Sequence, residues 1–507
     1  MSNYVNMESN YIIYCLNKYN LFDYFQDNNN NNTLLELLNE IILLFNEFIE
    51  TNILQLMYYD IYYILFNSVY ENLYTKYIES GLLENILNYD NNNSNFILYN
   101  CIKIIQNYTF KFVIPKRSYN KSFIRKNNLC QEKISEKLEY LNSIIQPEQR
   151  SDEWYIFRNS TLTASNIYKI FVSESSQSQL ILEKCEPLNI NKFKVTNTNS
   201  PLHWGQKYEP LSILYYEYIN NTKVSEFGCI PHKDYSFIAA SPDGIICDSS
   251  SKLYGRMLEI KNVVSREITG IPKMEYWIQM QLQMEVCDLN ECDFLETKFV
   301  EYINEEEYVN DDDKSVKYKG CFLQFVNSNN EPCYKYPPFE LNNIYSNEFI
   351  EWKNNELKSD NIVFIKPIFW KLEVISCVLV MRNKLWFNNI LPLIEVFWNN
   401  LVHERTTGKY KERIKKKRKY DLDEYKEKFN LSTSGCLLNI NKPVIKTEDT
   451  EPTSATITEV SNNTLTQKSF ELGAIKNKIF NIETQVIKTE TTKKIKKNEK
   501  NEKNEKK

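Results

Sequence analysis

Apolar side chains recur every three to four positions from residue 33 to 112, as in "LLELLNEIILLFNEFIE", with hardly a glycine or proline, and this spacing predicts a bundle of amphipathic helices. A basic loop, "PKRSYNKSFIRKNN", leads to a further predicted helix over "QEKISEKLEYLNSIIQ", in which Ile134, Leu138, Leu141 and Ile145 share one face and Pro147 sets the end. From 148 the rhythm changes to short β-like runs alternating with helical segments, which predicts an α/β architecture running to about 405 and closing on the amphipathic "LPLIEVFWNNLVHER". Beyond it lie a basic run, "KYKERIKKKRKYD", and a tail dominated by Thr, Asn, Lys and Glu. Such a tail buries too little apolar surface to offset its ordering entropy and is expected to be disordered. The predicted organisation is a helical part at 1–146, an α/β domain at 147–405, and a basic linker with a disordered tail at 406–507.

One stretch departs from the rule that charge stays on the surface. "FIAASPDGIICDSSSKLYGRMLEIKN", residues 237–262, reads as two apolar runs joined by a polar turn, a β-hairpin with charges inside it. Side chains alternate along a strand, so Glu259 and Lys261 face one way while Leu258, Ile260 and Asn262 face the other. Asp243 lies on the preceding strand, near enough through the turn for pairing to bring it beside Glu259. Pro242 and Gly244 interrupt regular pairing around it and splay its carboxylate out of the sheet. An acid, any residue and a lysine is by itself most often a solvated surface pattern. Here "FIAA", "GII", "ML" and "VV" flank the charges and turn them inward. Two neighbouring carboxylates repel unless a proton or a cation relieves them. Mg²⁺, a hard ion content with one or two carboxylates plus water and phosphate oxygens, answers the requirement, with Mn²⁺ as its substitute. A lysine beside the ion can orient a water and stabilise a developing pentavalent phosphate, and phosphodiester hydrolysis is the chemistry that needs this set.

The totals narrow the alternatives. At 507 residues the chain exceeds one ordinary core, and its formal charge of −5 leaves any basic surface to local runs. Twelve cysteines without a CxxC pair point to neither a zinc site nor a disulfide framework, and to reduced thiols in an intracellular compartment. The three histidines, His203, His232 and His403, stand in no nucleophile or zinc context. The start "MSNYVNMESNYIIYCLNKYN" does not read as a leader, and the longest apolar stretch, interrupted by Gln55 and Asp60, is too short to cross a bilayer, so no membrane association is expected. Trp154, Trp204 and Trp277 read as scaffold rather than base-stacking platforms.

These motifs, taken in order, resemble the YqaJ-type viral recombinases and the phage lambda exonuclease, members of the PD-(D/E)XK nuclease superfamily. "PEQRSDEWYIFRNSTLTAS" is similar to the family's opening motif, and the resemblance makes Arg158 and Ser165 the binders of a terminal phosphate. "WGQKYEP" resembles its G-x-x-x-E helix motif, mapping a further metal-site acid to Glu209. "SPDGI" and "LEIK" supply the superfamily signature, with Asp243 and Glu259 as metal acids and Lys261 as the catalytic lysine. "YWIQMQLQM" is similar to the Q-x-Q helix, giving Gln279 and Gln281 near the nucleophile and the DNA. The two glutamines point to different sides of a helix, and Gln279, which shares a face with Tyr276 and Gln283, is preferred for the metal side. Glu209 is read as the start of a helix, because Pro210 is tolerable only in a first turn. "VMRNKLWF" has Asn383 where relatives often carry Asp.

The resemblance implies a restriction-endonuclease-like core, a mixed sheet flanked by helices. It implies a Mg²⁺-dependent deoxyribonuclease resecting duplex DNA from 5′ to 3′ for recombination, repair or replication, with a single-strand annealing or binding protein as partner and homo-oligomers among relatives. With the over-use of Asn, Ile, Lys and Tyr expected of AT-rich coding, it also implies a large DNA virus and action at viral replication sites in cytoplasm or nucleus. A structure-specific endonuclease or nickase with the same site, a DNA-binding module with an inactive site, and a docking role for the helical part are the rival readings. "RIKKKRK" reads equally as a DNA contact, a nuclear signal or a solvated run.

Overall fold

The computed structural model describes residues 11–21, 28–87, 91–120, 131–190, 197–198, 200–313, 316–358 and 361–413. The basic run after Arg413, the tail, and residues 121–130 of the basic loop lie outside them. The chain divides into two units, Met1–Tyr89 with Ile97–Arg413, and Asp90–Phe96 with Ile414–Lys507.

The helical rhythm of the first hundred residues is realised as α1 (Asn28–Thr51), α2 (Ile61–Tyr74) and α3 (Asn91–Tyr108), whose apolar stripes bury residues such as Ile41, Phe45, Leu65 and Ile102. The expected boundary at 146 is a change of texture, not a break in packing. The turn Ile53–Met57 packs on the α/β part, and the buried Arg117 donates both to the Met57 carbonyl and, at 2.9 Å, to that of Pro272, with its guanidinium over Trp277. The next helix, α4, spans Gln131–Ser143 and stops short of the predicted end. Leu138 and Leu141 are buried as expected, but Ile145 lies beyond the helix and is 96% exposed. Pro147 restrains only its predecessor, so it did not fix where the helix stops.

The α/β part holds an eight-stranded mixed sheet in the order β10-β9-β11-β8-β7-β6-β3, with β1 joining β11. Its strands are β1 (Tyr119–Asn120), β3 (Val224–Ser225), β6 (Gly244–Ile246), β7 (Met257–Asn262), β8 (Glu291–Glu301), β9 (Lys319–Asn327), β10 (Pro332–Lys335) and β11 (Ile362–Met381). A second, three-stranded sheet pairs β5 (Ile238–Ala240) with β2 (Leu162–Thr163) in parallel and with β4 (Ile230–Pro231) antiparallel. Helices α5 (Asp152–Ser160), α6 (Glu174–Cys185), α7 (Pro201–Asn220), α8 (Met274–Val286) and α9 (Lys384–Thr407) flank the sheets. The architecture is therefore the mixed α/β type expected.

Two connections position the charged residues. β6 and β7 form the predicted antiparallel hairpin, with Gly244 opposite Leu258. β7 and β8 are parallel, and parallel neighbours need a crossover, which α8 provides. Leu258 and Ile260 enter a buried cluster with Tyr208, Leu211 and Tyr216 of α7, so α7 covers one face of β7 and leaves the face of Glu259 and Lys261 to α8. Among the described residues no helix is long and apolar enough to cross a membrane.

Candidate active site

Chain direction changes at "SPD". β5 belongs to the small sheet and β6 to the large one, and the three residues between them, Ser241, Pro242 and Asp243, carry the chain across. Gly244 is needed at the crossing, since a Cβ there would lie 2.1 Å from Val224 Cγ1 of the neighbouring strand. Because β6 begins only at Gly244, β7 has no hydrogen-bonding neighbour on that side past Leu258. Asp243 fills the gap: its Oδ2 accepts the Ile260 amide at 2.7 Å, where a strand carbonyl would otherwise sit. The predicted splay of the carboxylate is thus a strand switch between two sheets.

Glu259 is fully buried, and its two oxygens are engaged separately, Oε1 by the Lys261 ammonium and Oε2 by Gln283 Nε2 at 2.7 Å. Gln283 also donates to the Ser241 carbonyl at 3.2 Å, tying the strand switch to the crossover helix. Its own Oε1 is buried and has no donor. Lys261 Nζ stands 5.2 Å from the centre of the Tyr276 ring.

Glu209 comes from α7, on the other face of β7. The structure corrects the expectation that it opens a helix: Ser200 caps α7, Pro201 occupies its first turn, and Pro210 lies in the interior. An interior proline loosens the preceding turn of the ladder. Here side chains supply donors to that turn, Asn262 Nδ2 to the Gly205 carbonyl at 2.9 Å and the Tyr336 hydroxyl to the Lys207 carbonyl. Placed mid-helix, Glu209 is no longer explained as an acid serving the helix dipole. Arg150, in a left-handed backbone conformation (φ 70°), approaches it at 3.9 Å.

The electrostatics are those of an acid excess. Burial and then the charges of Glu259 and Glu209 push the Asp243 carboxyl well above its usual range. Burial chiefly, with Glu259 and Glu226 adding, also raises Glu209 against the pull of Arg150 and Lys261. Burial disfavours the Lys261 ammonium, but Glu259 and Asp243 outweigh it and hold the group above the ordinary lysine value. Lys261, with Arg150 beside Glu209, thus faces three mutually repelling acids. Among the described residues no group of three or more His, Cys, Asp or Glu side chains is arranged to hold a metal ion. The donor chemistry, all carboxylate oxygen with a donorless amide oxygen on Gln283 alongside, fits a hard divalent ion that keeps water or substrate oxygens in its shell.

The candidate phosphate binders are assembled next to these acids. Ser151 caps α5 and accepts from the Trp154 amide, and Arg158 sits in the last turn with its guanidinium over Trp154. Arg158 Nη2 donates to Ser165 Oγ at 3.1 Å, bringing the two predicted residues together. Nη1 reaches Ser241 Oγ at 3.4 Å. Ser241, two residues before Asp243, was missed in the sequence: it sits in the quoted signature, but only the parallel pairing of β2 with β5 places it beside the "TAS" turn.

The glutamines fall out differently from the expectation. Gln281 is buried and turned away from the acids, donating to the Met381 carbonyl and accepting from the Asn383 amide, so it is not available to DNA as it stands. Asn383 in turn caps α9 through the Trp386 amide, which accounts for an Asn at that position. Gln279 is half-buried, one turn before Gln283 on the same helix face. The glutamine that contacts Glu259 is Gln283.

Fold and site together define a mixed α/β domain that gathers acids, a lysine and a hydrogen-bonded arginine–serine cluster at the switch between its two sheets. Residues 153–290 match the model of the YqaJ-like viral recombinase domain. An uncharacterized protein of Acanthamoeba polyphaga mimivirus is 33% identical over 334 residues, 57% of this chain and 58% of that protein, so the match spans little more than half the length of this relative. Among solved structures, an alkaline exonuclease from Laribacter hongkongensis, LHK-Exo in complex with dAMP, aligns at 19% identity over 52% of this chain and 98% of that chain, with a TM-score of 0.30. A phage-related exonuclease from Haemophilus somnus aligns at 12% identity over 48% and 96%, with a TM-score of 0.27.

Proposed function

We propose that this chain is a Mg²⁺-dependent deoxyribonuclease that acts on duplex ends and resects them from 5′ to 3′. The observation that carries the reading is the adjacency, within three residues of one strand switch, of an under-compensated acid cluster and an arginine–serine pocket suited to a phosphate. Asp243, Glu259 and Glu209 would hold Mg²⁺ or Mn²⁺, which on binding supplies the charge that makes three ionised acids compatible and polarises water and phosphate. Lys261 stays an ammonium in this setting, so its work is to donate from Nζ: it orients the attacking water and offsets charge developing on the phosphate. Gln283 fixes Glu259 through Oε2, and Gln279, one turn away, faces the water. Arg158, with a planar fork, and the hydroxyls of Ser165 and Ser241 hold the terminal phosphate and so register the chain end against the acids.

The reading extends to partners and place: duplex DNA as substrate, a single-strand annealing or binding protein for the strand left behind, and action at viral replication sites. Support for the setting is the similarity to a mimivirus protein. Digestion of linear and closed-circular duplexes, with Mg²⁺ and with chelator, tests it. The expected result is loss of linear DNA only with Mg²⁺. Equal cleavage of closed circles would replace the end-dependent reading by an endonuclease or nickase, and intact DNA in every tube would end the nuclease reading.

A further inference from the structure

Beneath the turn that carries Arg158 lies a second cation for which the reaction proposed above has no direct use. Lys184, near the end of α6, is 5% exposed, and its ammonium donates to the Arg158 carbonyl. A third cation, Arg405 of α9, donates to the Lys184 carbonyl at 2.8 Å and to the Asn159 carbonyl at 3.4 Å. Among the described residues none of the three is ion-paired with a carboxylate; Glu183, the acid next in sequence, is taken by Lys169. Cations suit a helix C-terminus, and Lys184 and Arg405 cap the end of α5. Yet carbonyls alone compensate a buried ammonium poorly. Burial, together with repulsion from Arg158 and Arg405, outweighs Glu183 and brings the Lys184 ammonium down to about 8.

We propose that Lys184 is a specificity-determining positioning residue: it preloads the Arg158–Ser165–Ser241 pocket with a second positive charge, so that the pocket selects a doubly charged terminal phosphate over the singly charged phosphodiester. The proposal rests on the reading of that pocket as a phosphate site. A terminal phosphate carries close to two charges at neutral pH whereas each internal linkage carries one. A single arginine binds either. Two cations, uncomfortable together until a dianion arrives, favour the chain end and thereby make cleavage end-dependent.

The test compares the full chain with Lys184→Met and Lys184→Arg. Inorganic phosphate should raise the Tm of the parent protein and of Lys184→Arg. Lys184→Met, which exchanges a desolvated cation for an apolar chain, should have the higher Tm without phosphate and gain nothing from it. On linear duplexes with Mg²⁺, the rate ratio of 5′-phosphorylated to 5′-hydroxyl ends should fall about tenfold in Lys184→Met and recover in Lys184→Arg. A lower Tm for Lys184→Met with both substrates slowed equally would make Lys184 a structural pin and overturn the proposal, as would an unchanged ratio. If the parent protein leaves DNA intact while phosphate still separates it from Lys184→Met, the charged pocket stands and the nuclease reading falls.

Discussion

The two ends of one hairpin strand bury charge in opposite ways. Just before β7, Arg256 is enclosed with Glu291 and Asp293 of β8: its guanidinium donates to Glu291 at 3.0 and 2.8 Å and to Asp293 at 3.4 Å, while the Tyr216 hydroxyl donates to the other Asp293 oxygen at 2.7 Å. Burial disfavours the Arg256 charge, but Asp293 and Glu291 outweigh it and hold the group above its ordinary value. Three to five residues further along, Glu259 and Lys261 meet Asp243 and Glu209, and the Asp243 carboxyl is driven well above its usual range. Burial alone therefore does not mark a functional charge. The first cluster is closed and structural; the second has the imbalance that a cation would cure.

This contrast can be broken by substitution. Glu259→Gln should lower Mg²⁺-dependent cleavage by about 10²–10⁴-fold, the range for losing one catalytic group, while leaving thermal stability equal or higher. Loss of both together would make Glu259 structural. Arg256→Ala should do the reverse, costing about 3–5 kcal/mol in urea unfolding because it takes the cation away from two buried carboxylates. A change within experimental error would show that cluster to be dispensable. Gln283→Leu removes the donors to Glu259 Oε2 and the Ser241 carbonyl and should cost about 1–3 kcal/mol, with a weaker response to Mg²⁺. Wild-type stability in that variant would place the glutamine outside the site.

The smallest effect concerns pH. Lys184 titrates at about 8 in the folded chain against an ordinary value of 10.5, so between these values the unfolded chain binds more protons. Stability from this group should therefore rise as pH increases through that window, and Lys184→Met should flatten the slope. An identical slope in both proteins would contradict the shift.

What was legible in the sequence followed from local rules. Alternation along "LEIK" placed Glu259 and Lys261 on one face, and the Pro242–Gly244 bracket marked the bend at Asp243, because both depend on a few neighbouring bonds. Glu209 was expected on the wrong part of its helix: Pro201 after a serine cap is as good a start as Pro210, and only the donors from Asn262 and Tyr336 show how an interior proline is accommodated. The glutamine pattern was equally local, yet which residue meets Glu259 depends on how the crossover helix is rotated over the sheet. Ser241 and Lys184 became visible only through pairings far apart in sequence, β2 with β5 and α6 with the end of α5. Nor did a change in texture at 146 disclose that Arg117 would tie the helical part to Pro272 and Trp277.

The central claim, an acid cluster completed by a divalent ion, is tested most directly by calorimetric titration of the chain with Mg²⁺, alongside Asp243→Asn and Glu259→Gln. Saturable binding by the parent protein that either substitution abolishes is the predicted result. Absence of binding, or binding that both variants retain undiminished, would contradict it.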